Sequence, residues 1–250
     1  MSNIGYCVRP KLENLGMFTV QYGKFFDTME VKLTEELLLK AQMGMFADFC
    51  SEHGIKFLSY HLPEDALKSE EACSKSCDFM MTLRPKQVNT LVTHFYGNSF
   101  DADKLAFAIS NTAKGNGLRI AIENVEFRKP LIPYLKALKE FAIQNDFLVC
   151  LDIGHLFYSA LASKTNAKEV MGYLITDDWW KERVCEIHIH DYNYRRSHLN
   201  IGKGRLGTDA AKTLLQHFCD TCPIILQTTV DDLSVQGVEE AKYLRERMKI

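Results

Sequence analysis

A set of side chains able to bind a metal or move a proton stands where the apolar runs of this sequence come to an end. His61 closes IKFLSYHL and His94 closes VNTLVTHF, while Glu123 stands in LRIAIENV, Asp152 and His155 in FLVCLDIGHL, His188 and His190 in VCEIHIHDY, and Gln227 in PIILQTTV. His198 follows a few residues beyond the seventh run, so six of the eight histidines fall at or just past such ends, and His53 and His217 lie in helix-like segments. Imidazole and carboxylate brought together from several strands suit divalent zinc, manganese, cobalt or iron. No cysteine occupies these positions, which argues against a thiolate site. Any one of these histidines is as readily a satisfied polar residue at a strand end. Six together favour a shared metal.

The elements that must position these groups can be read from periodicity. In EIHIH, Ile187 and Ile189 alternate with Glu186, His188 and His190, so one face of a strand is apolar and the other carries ligand types. Eight runs of strand length recur: IGYCV, TMEVKL, IKFLSYHL, VNTLVTHF, LRIAIENV, FLVCLDIGHL, VCEIHIHDY and PIILQTTV. Between them lie segments with helical apolar spacing, such as ELLLKAQMGMFADFCSEHG and IPYLKALKEFAIQND. Strands alternating with helices imply a parallel sheet, and eight such units in 250 residues fit a closed (β/α)₈ barrel of the TIM type, class α/β, as a single domain over residues 1–250. Reactive groups of such barrels lie at the C-terminal strand ends, where the polar residues above are found.

Composition narrows the partners. At 46% hydrophobic the chain can bury a large core, and its net charge of −2 with both signs interspersed offers no general attraction for phosphate backbones or anionic lipid. No stretch approaches the roughly 20 apolar residues needed to span a bilayer, and MSNIGYCVRP lacks the pattern of a secretory leader, so the expectation is a soluble cytoplasmic protein without a membrane partner. The eight cysteines sit mostly in apolar runs, as in LVCLD and RVCEI, and read as small hydrophobes in a reducing compartment. Zinc or redox chemistry at Cys73 and Cys77, or at the Cys219–Cys222 CxxC, is the weaker reading because neither has a second matching pair.

The segments IAIENVEF, LDIGH, EIHIHD and HLNIGKGRL, in that order, resemble the xylose isomerase-like TIM barrels, a superfamily of sugar and sugar-phosphate isomerases or epimerases that also includes endonuclease IV. The resemblance spans essentially the whole chain. It implies a divalent metal (zinc, manganese, cobalt or magnesium) held by Glu123, Asp152, His188 and the eighth-strand end at Gln227. It further implies that His155 and His198 contact substrate or a further metal.

Two departures shape the function expected. In the isomerases and epimerases the eighth strand usually offers a glutamate. Gln227 can coordinate through its amide oxygen but cannot accept a proton. Epimerisation normally needs a base on each face, whereas aldose–ketose isomerisation can proceed with one, so a metal-dependent isomerase ranks above an epimerase, with Glu123 as ligand or base. Second, His61 and His94 match by strand position histidines that hold an additional zinc in endonuclease IV. A Glu123-bridged pair of metals would then suit phosphoester hydrolysis, the main alternative, and the count is one or two ions. A third zinc in that enzyme uses an aspartate where Arg196 stands here, and a cation cannot ligate zinc. A barrel that binds its ligand without turnover is the remaining alternative.

Arg195, Arg196, Lys203 and Arg205 surround HLNIGKG and would favour a phosphate or carboxylate on a small sugar-like substrate, unless they form an ordinary solvated loop. Four cations do not make a duplex-binding surface, so nucleic acid is not the expected partner. Glu30, ending TMEVKL, is expected to reach a sugar hydroxyl, and His190 to share the face of His188 and orient a ligand. Gly202 and Gly204 fit a loop turning closely over the pocket rather than a phosphate loop. Trp179 and Trp180 are expected to pack on the outside of the barrel, with an opening or a homo-oligomer contact as alternatives.

Overall fold

The computed structural model describes residues 3–8, 15–34, 43–83, 88–97, 100–206, 209–220, 222–228 and 233–249. Its eight strands are β1 Ile4–Val8, β2 Thr28–Lys32, β3 Phe57–His61, β4 Thr90–Phe95, β5 Ile120–Asn124, β6 Leu148–Asp152, β7 Val184–Ile189 and β8 Ile224–Leu226. All neighbours pair in parallel and β8 returns to β1, closing the barrel expected from the eight apolar runs. The last two residues of PIILQTTV and the first turns of ELLLKAQMGMFADFCSEHG fall outside the described residues. No described helix is long and apolar enough to cross a membrane.

Outward-facing strand residues such as Val31, Leu91, Ile122, Leu151, Ile187 and Leu226 are buried against the surrounding helices. The inward positions differ from the bulky branched fillers usual in such barrels. Val92, Ala121 and Cys150 form a small apolar group there, whereas Glu30, Ser59, Glu186 and His188 are polar and fully excluded from solvent. At Gly5 an added Cβ would stand 1.8 Å from the Thr28 carbonyl oxygen, so only glycine lets β1 approach β2.

One element differs from the sequence expectation. FLVCLDIGHL is not a single strand: β6 ends at Asp152, and a helix runs from Ile153 to Ala162. Asp152 caps it, accepting a hydrogen bond from the His155 amide at 2.7 Å. A continuous apolar run cannot by itself distinguish a buried strand from a buried helix. Trp180 lies in the short helix Asp178–Arg183, fully buried, with Trp179 edge-on at 5.0 Å, which places the pair on the outside of the barrel as packing. No disulfide joins the described cysteines.

Candidate metal centre

Strand register delivers the site. β4 and β5 set His94 beside Glu123, and β6 and β7 set Asp152 beside His188, each pair at the C-terminal end of its strands. Glu123 is buried and its two oxygens face different neighbours: Oε2 lies 2.9 Å from His61 Nε2 and 3.1 Å from His94 Nε2, while Oε1 lies 2.9 Å from His188 Nδ1. The Gln227 amide reaches the same His188 nitrogen at 2.7 Å. Turning that amide over would present its oxygen instead. Candidate ligand atoms of Glu123, Asp152 and His188 lie within 4.8 Å of one another, and so do those of His61, His94 and Glu123. The six residues expected to hold metal are thus brought together.

The donors fit a divalent cation. Asp152 Oδ2 is buried and accepts no hydrogen bond, an arrangement that is expensive unless a positive charge faces it. Around it stand carboxylate oxygens and imidazole nitrogens, a donor set that suits zinc, manganese or cobalt. Asn124 steadies the carboxylate's backbone: its Oδ1 accepts from the Asp152 amide and its Nδ2 donates to the Asp152 carbonyl, both at 2.9 Å.

Electrostatics divide the cluster. Burial pushes the Glu123 carboxyl upward, but the charges of His188 and His94 and hydrogen bonds from His188 and His61 outweigh it and hold it well below the ordinary range. Asp152 is likewise lowered, with burial opposed by the charges of His155 and His190. Burial alone would lower His188 and His61, yet both are raised, His188 by the Cys150 sulfur, Glu30 and Glu123, and His61 by Glu123 and Glu30. His94 is lowered because burial prevails, and its Nδ1 meets the Tyr96 hydroxyl at 2.9 Å.

A second group of histidines adjoins the first. His155 Nε2 and His198 Nε2 are 3.0 Å apart, and His190 completes a trio whose candidate ligand atoms lie within 4.8 Å of one another. His190 therefore stands where sequence alone left no third partner. Its Nδ1 is 3.0 Å from the donating His198 amide and its Nε2 is 3.3 Å from Asp152 Oδ1, so it bridges the β6 carboxylate and the loop after β7. The ring lies over Gly154, where any Cβ would meet it at 2.4 Å, which gives the glycine of LDIGH its physical reason. His198 is pushed down to about 4, by burial first and then by the charge of His190.

Glu30 is fully buried, and its Oε2 lies 3.0 Å from His188 Nε2, the ring nitrogen opposite the one facing Glu123, so it is not offered to a sugar hydroxyl at the mouth. Arg196 and Lys203 lie exposed on the loop, and Arg205 stacks over Tyr194 at 4.6 Å. Gly202 and Gly204 make a close turn, held by Asp191: its Oδ2 accepts from both their amides at 3.0 and 2.8 Å, and Oδ1 from Tyr192 and Leu206, each at 2.8 Å. A Cβ on Gly204 would stand 2.4 Å from that carboxylate. Glu186 was missed although the alternation of EIHIH puts it on the His188 face. Its Oε1 accepts from Ser59 Oγ at 2.9 Å and lies 3.3 Å from His188 Nε2, and burial raises its carboxyl.

No family model matches the chain, and no curated protein sequence matches it. Solved structures do match. A D-tagatose 3-epimerase-like protein superposes with a TM-score of 0.70 at 16% identity, covering 100% of this chain and 97% of its own. A D-psicose 3-epimerase crystallised in the presence of D-fructose gives 0.66 at 12% identity over 99% of both chains. A xylose isomerase domain-containing protein from Salmonella typhimurium gives 0.64 at 10% identity, over 98% of this chain and 95% of its own. The chain has the fold of the xylose isomerase-like TIM barrels.

Proposed function

We propose that the protein is a metal-dependent isomerase acting on a sugar, sugar phosphate or related hydroxy-carbonyl compound. The observation that carries this reading is the convergence of Glu123, Asp152 and His188 within 4.8 Å at the barrel mouth, beside the Gln227 amide. The epimerase names of the similar barrels support a sugar-like substrate at the level of fold. Glu123, Asp152, His188 and the Gln227 oxygen would hold one divalent cation. When bound, that cation would supply polarisation of the substrate carbonyl and stabilisation of enediolate charge.

The chain's own residues supply the rest. Glu123 takes the proton from the carbon beside the carbonyl and returns it to the neighbouring carbon on the same face. His155 and His198, 3.0 Å apart, pass the hydroxyl proton from one substrate oxygen to the other. Gln227 cannot act as a second base, so isomerisation ranks above epimerisation. Arg196 and Lys203 supply positive charge for a phosphate or carboxylate on the substrate.

The test is turnover of aldoses, ketoses and their phosphates in deuterated water with zinc, manganese, cobalt or magnesium added. Product is expected, carrying deuterium beside the carbonyl in the fraction of turnovers in which the proton on Glu123 exchanges with solvent before it is returned. Absence of both product and exchange with every metal sinks the reading. A second reading, dinuclear phosphoester hydrolysis, is favoured by the two-sided contacts of Glu123, with His61 and His94 on one oxygen and His188 on the other. It requires two ions per chain, one of them lost in His61→Ala.

A further inference from the structure

We propose that Glu30, with Glu186 beside it, is a positioning residue that keeps a proton on His188 Nε2 and so aims Nδ1 at the metal. The proposal rests on the reading of His188 as a metal ligand and assigns the buried acidic pair beneath it a purpose.

His188 has two different sides. Nδ1 faces Glu123 Oε1 at 2.9 Å and the Gln227 amide at 2.7 Å. Nε2 faces the barrel interior, 3.0 Å from Glu30 Oε2 and 3.3 Å from Glu186 Oε1. All three residues are fully buried, so water does not soften these contacts. A bare nitrogen lone pair facing two carboxyl groups at these distances would be repelled, whereas an N–H there donates to Glu186 Oε1 and is attracted by the Glu30 carboxyl, whose oxygens accept no hydrogen bond. Nδ1 also faces a carboxylate oxygen, Glu123 Oε1, but on the side where a cation would enter, so the two interior acids keep the proton on Nε2 while the cation would displace the one on Nδ1. Register makes this reproducible: β2 carries Glu30 next to Ser59 on β3, and the Ser59 hydroxyl donates to Glu186 Oε1 at 2.9 Å, tying the second acid in place. A carboxylate accepting the outer N–H of a ligating histidine typically strengthens metal binding about 10- to 100-fold.

The experiment uses the full chain, ¹⁵N-labelled at histidine and titrated with zinc at fixed pH, following the zinc ion that His188→Ala removes. In the zinc-loaded wild type, ring nitrogen shifts are expected to show Nδ1 bound and Nε2 protonated. Glu30→Gln is expected to weaken that ion about 10- to 100-fold, and the metal-free variant, having lost one partner of a buried charged His188, is expected to unfold at a somewhat lower midpoint. Glu186→Gln, a smaller change at a longer contact, is the second variant should Glu30→Gln not fold. Wild-type affinity in both variants, or zinc on Nε2 with the proton on Nδ1, overturns the proposal. A wild type whose zinc content is untouched by His188→Ala overturns the ligand reading itself, an outcome visible before either glutamate is changed.

Discussion

At the scale of single residues, the centre holds protons that a cation must displace. His61 and His188 are raised above ordinary histidine, so in the metal-free protein they stay charged to higher pH, and each loses that stabilising charge as pH rises through its raised value. Metal needs their lone pairs. Apparent zinc affinity is therefore expected to keep climbing as pH rises above the ordinary histidine range and to be weakest at the acid end, with about one proton or more released per ion. Calorimetry in two buffers of different ionisation enthalpy measures that release, and a pH-independent affinity without proton release would contradict the assignment. His198, pushed down to about 4, is already neutral over this range and contributes nothing to it. Glu123, Asp152 and His188 could be picked out from sequence because they end apolar runs. Alternation placed Glu186 on the His188 face, but not its role, because a mid-strand carboxyl usually signals a solvated face rather than the closed interior of a barrel.

At the scale of elements, the loop after β7 is held by one carboxylate. Asp191 is buried and accepts four backbone hydrogen bonds, from Tyr192, Gly202, Gly204 and Leu206. In Asp191→Asn one oxygen becomes a donor facing other donors, which is expected to cost about 2–3 kcal/mol. Amide exchange at Gly202, Gly204 and Leu206 should quicken together, and the His155–His198 contact should loosen, while zinc held by Glu123 and Asp152 remains. Unchanged exchange at these amides would show that the loop is ordered by something else. The glycines of IGKGRL were legible as a tight turn, but its centre was not, because nothing in the sequence says whether a strand-end aspartate faces a ligand or its own loop. The same ambiguity hid the helix beginning at Ile153, whose capping Asp152 also reads as a strand-end ligand.

At the scale of the whole molecule, eight alternating units were enough to count out the barrel, since parallel strands need crossovers and closure removes both edges. How the seam is fastened was not readable, because it depends on residues far apart in the chain. Glu240, buried in the helix Val238–Tyr243, accepts from the Tyr6 hydroxyl and the Thr228 hydroxyl, both at 2.6 Å, and from the Ile201 amide at 3.0 Å. Glu240→Ala is expected to destabilise the protein by about 3 kcal/mol or more, since several donors to one charge lose their partner at once. Urea unfolding measures it, and a loss below about 1 kcal/mol would mean water replaces the carboxylate freely.

That glutamate joins β1, the end of β8 and the loop carrying His198 through a single side chain. During synthesis the histidines and acids of β3 to β7 emerge first, yet the wall beside them stays open until the last strand arrives and its helix folds back. Zinc scavenged early would sit in an unroofed cleft. The pocket is thus closed by residues far along the chain from those that line it, and removal of the helix Val238–Tyr243 would leave that wall unfastened.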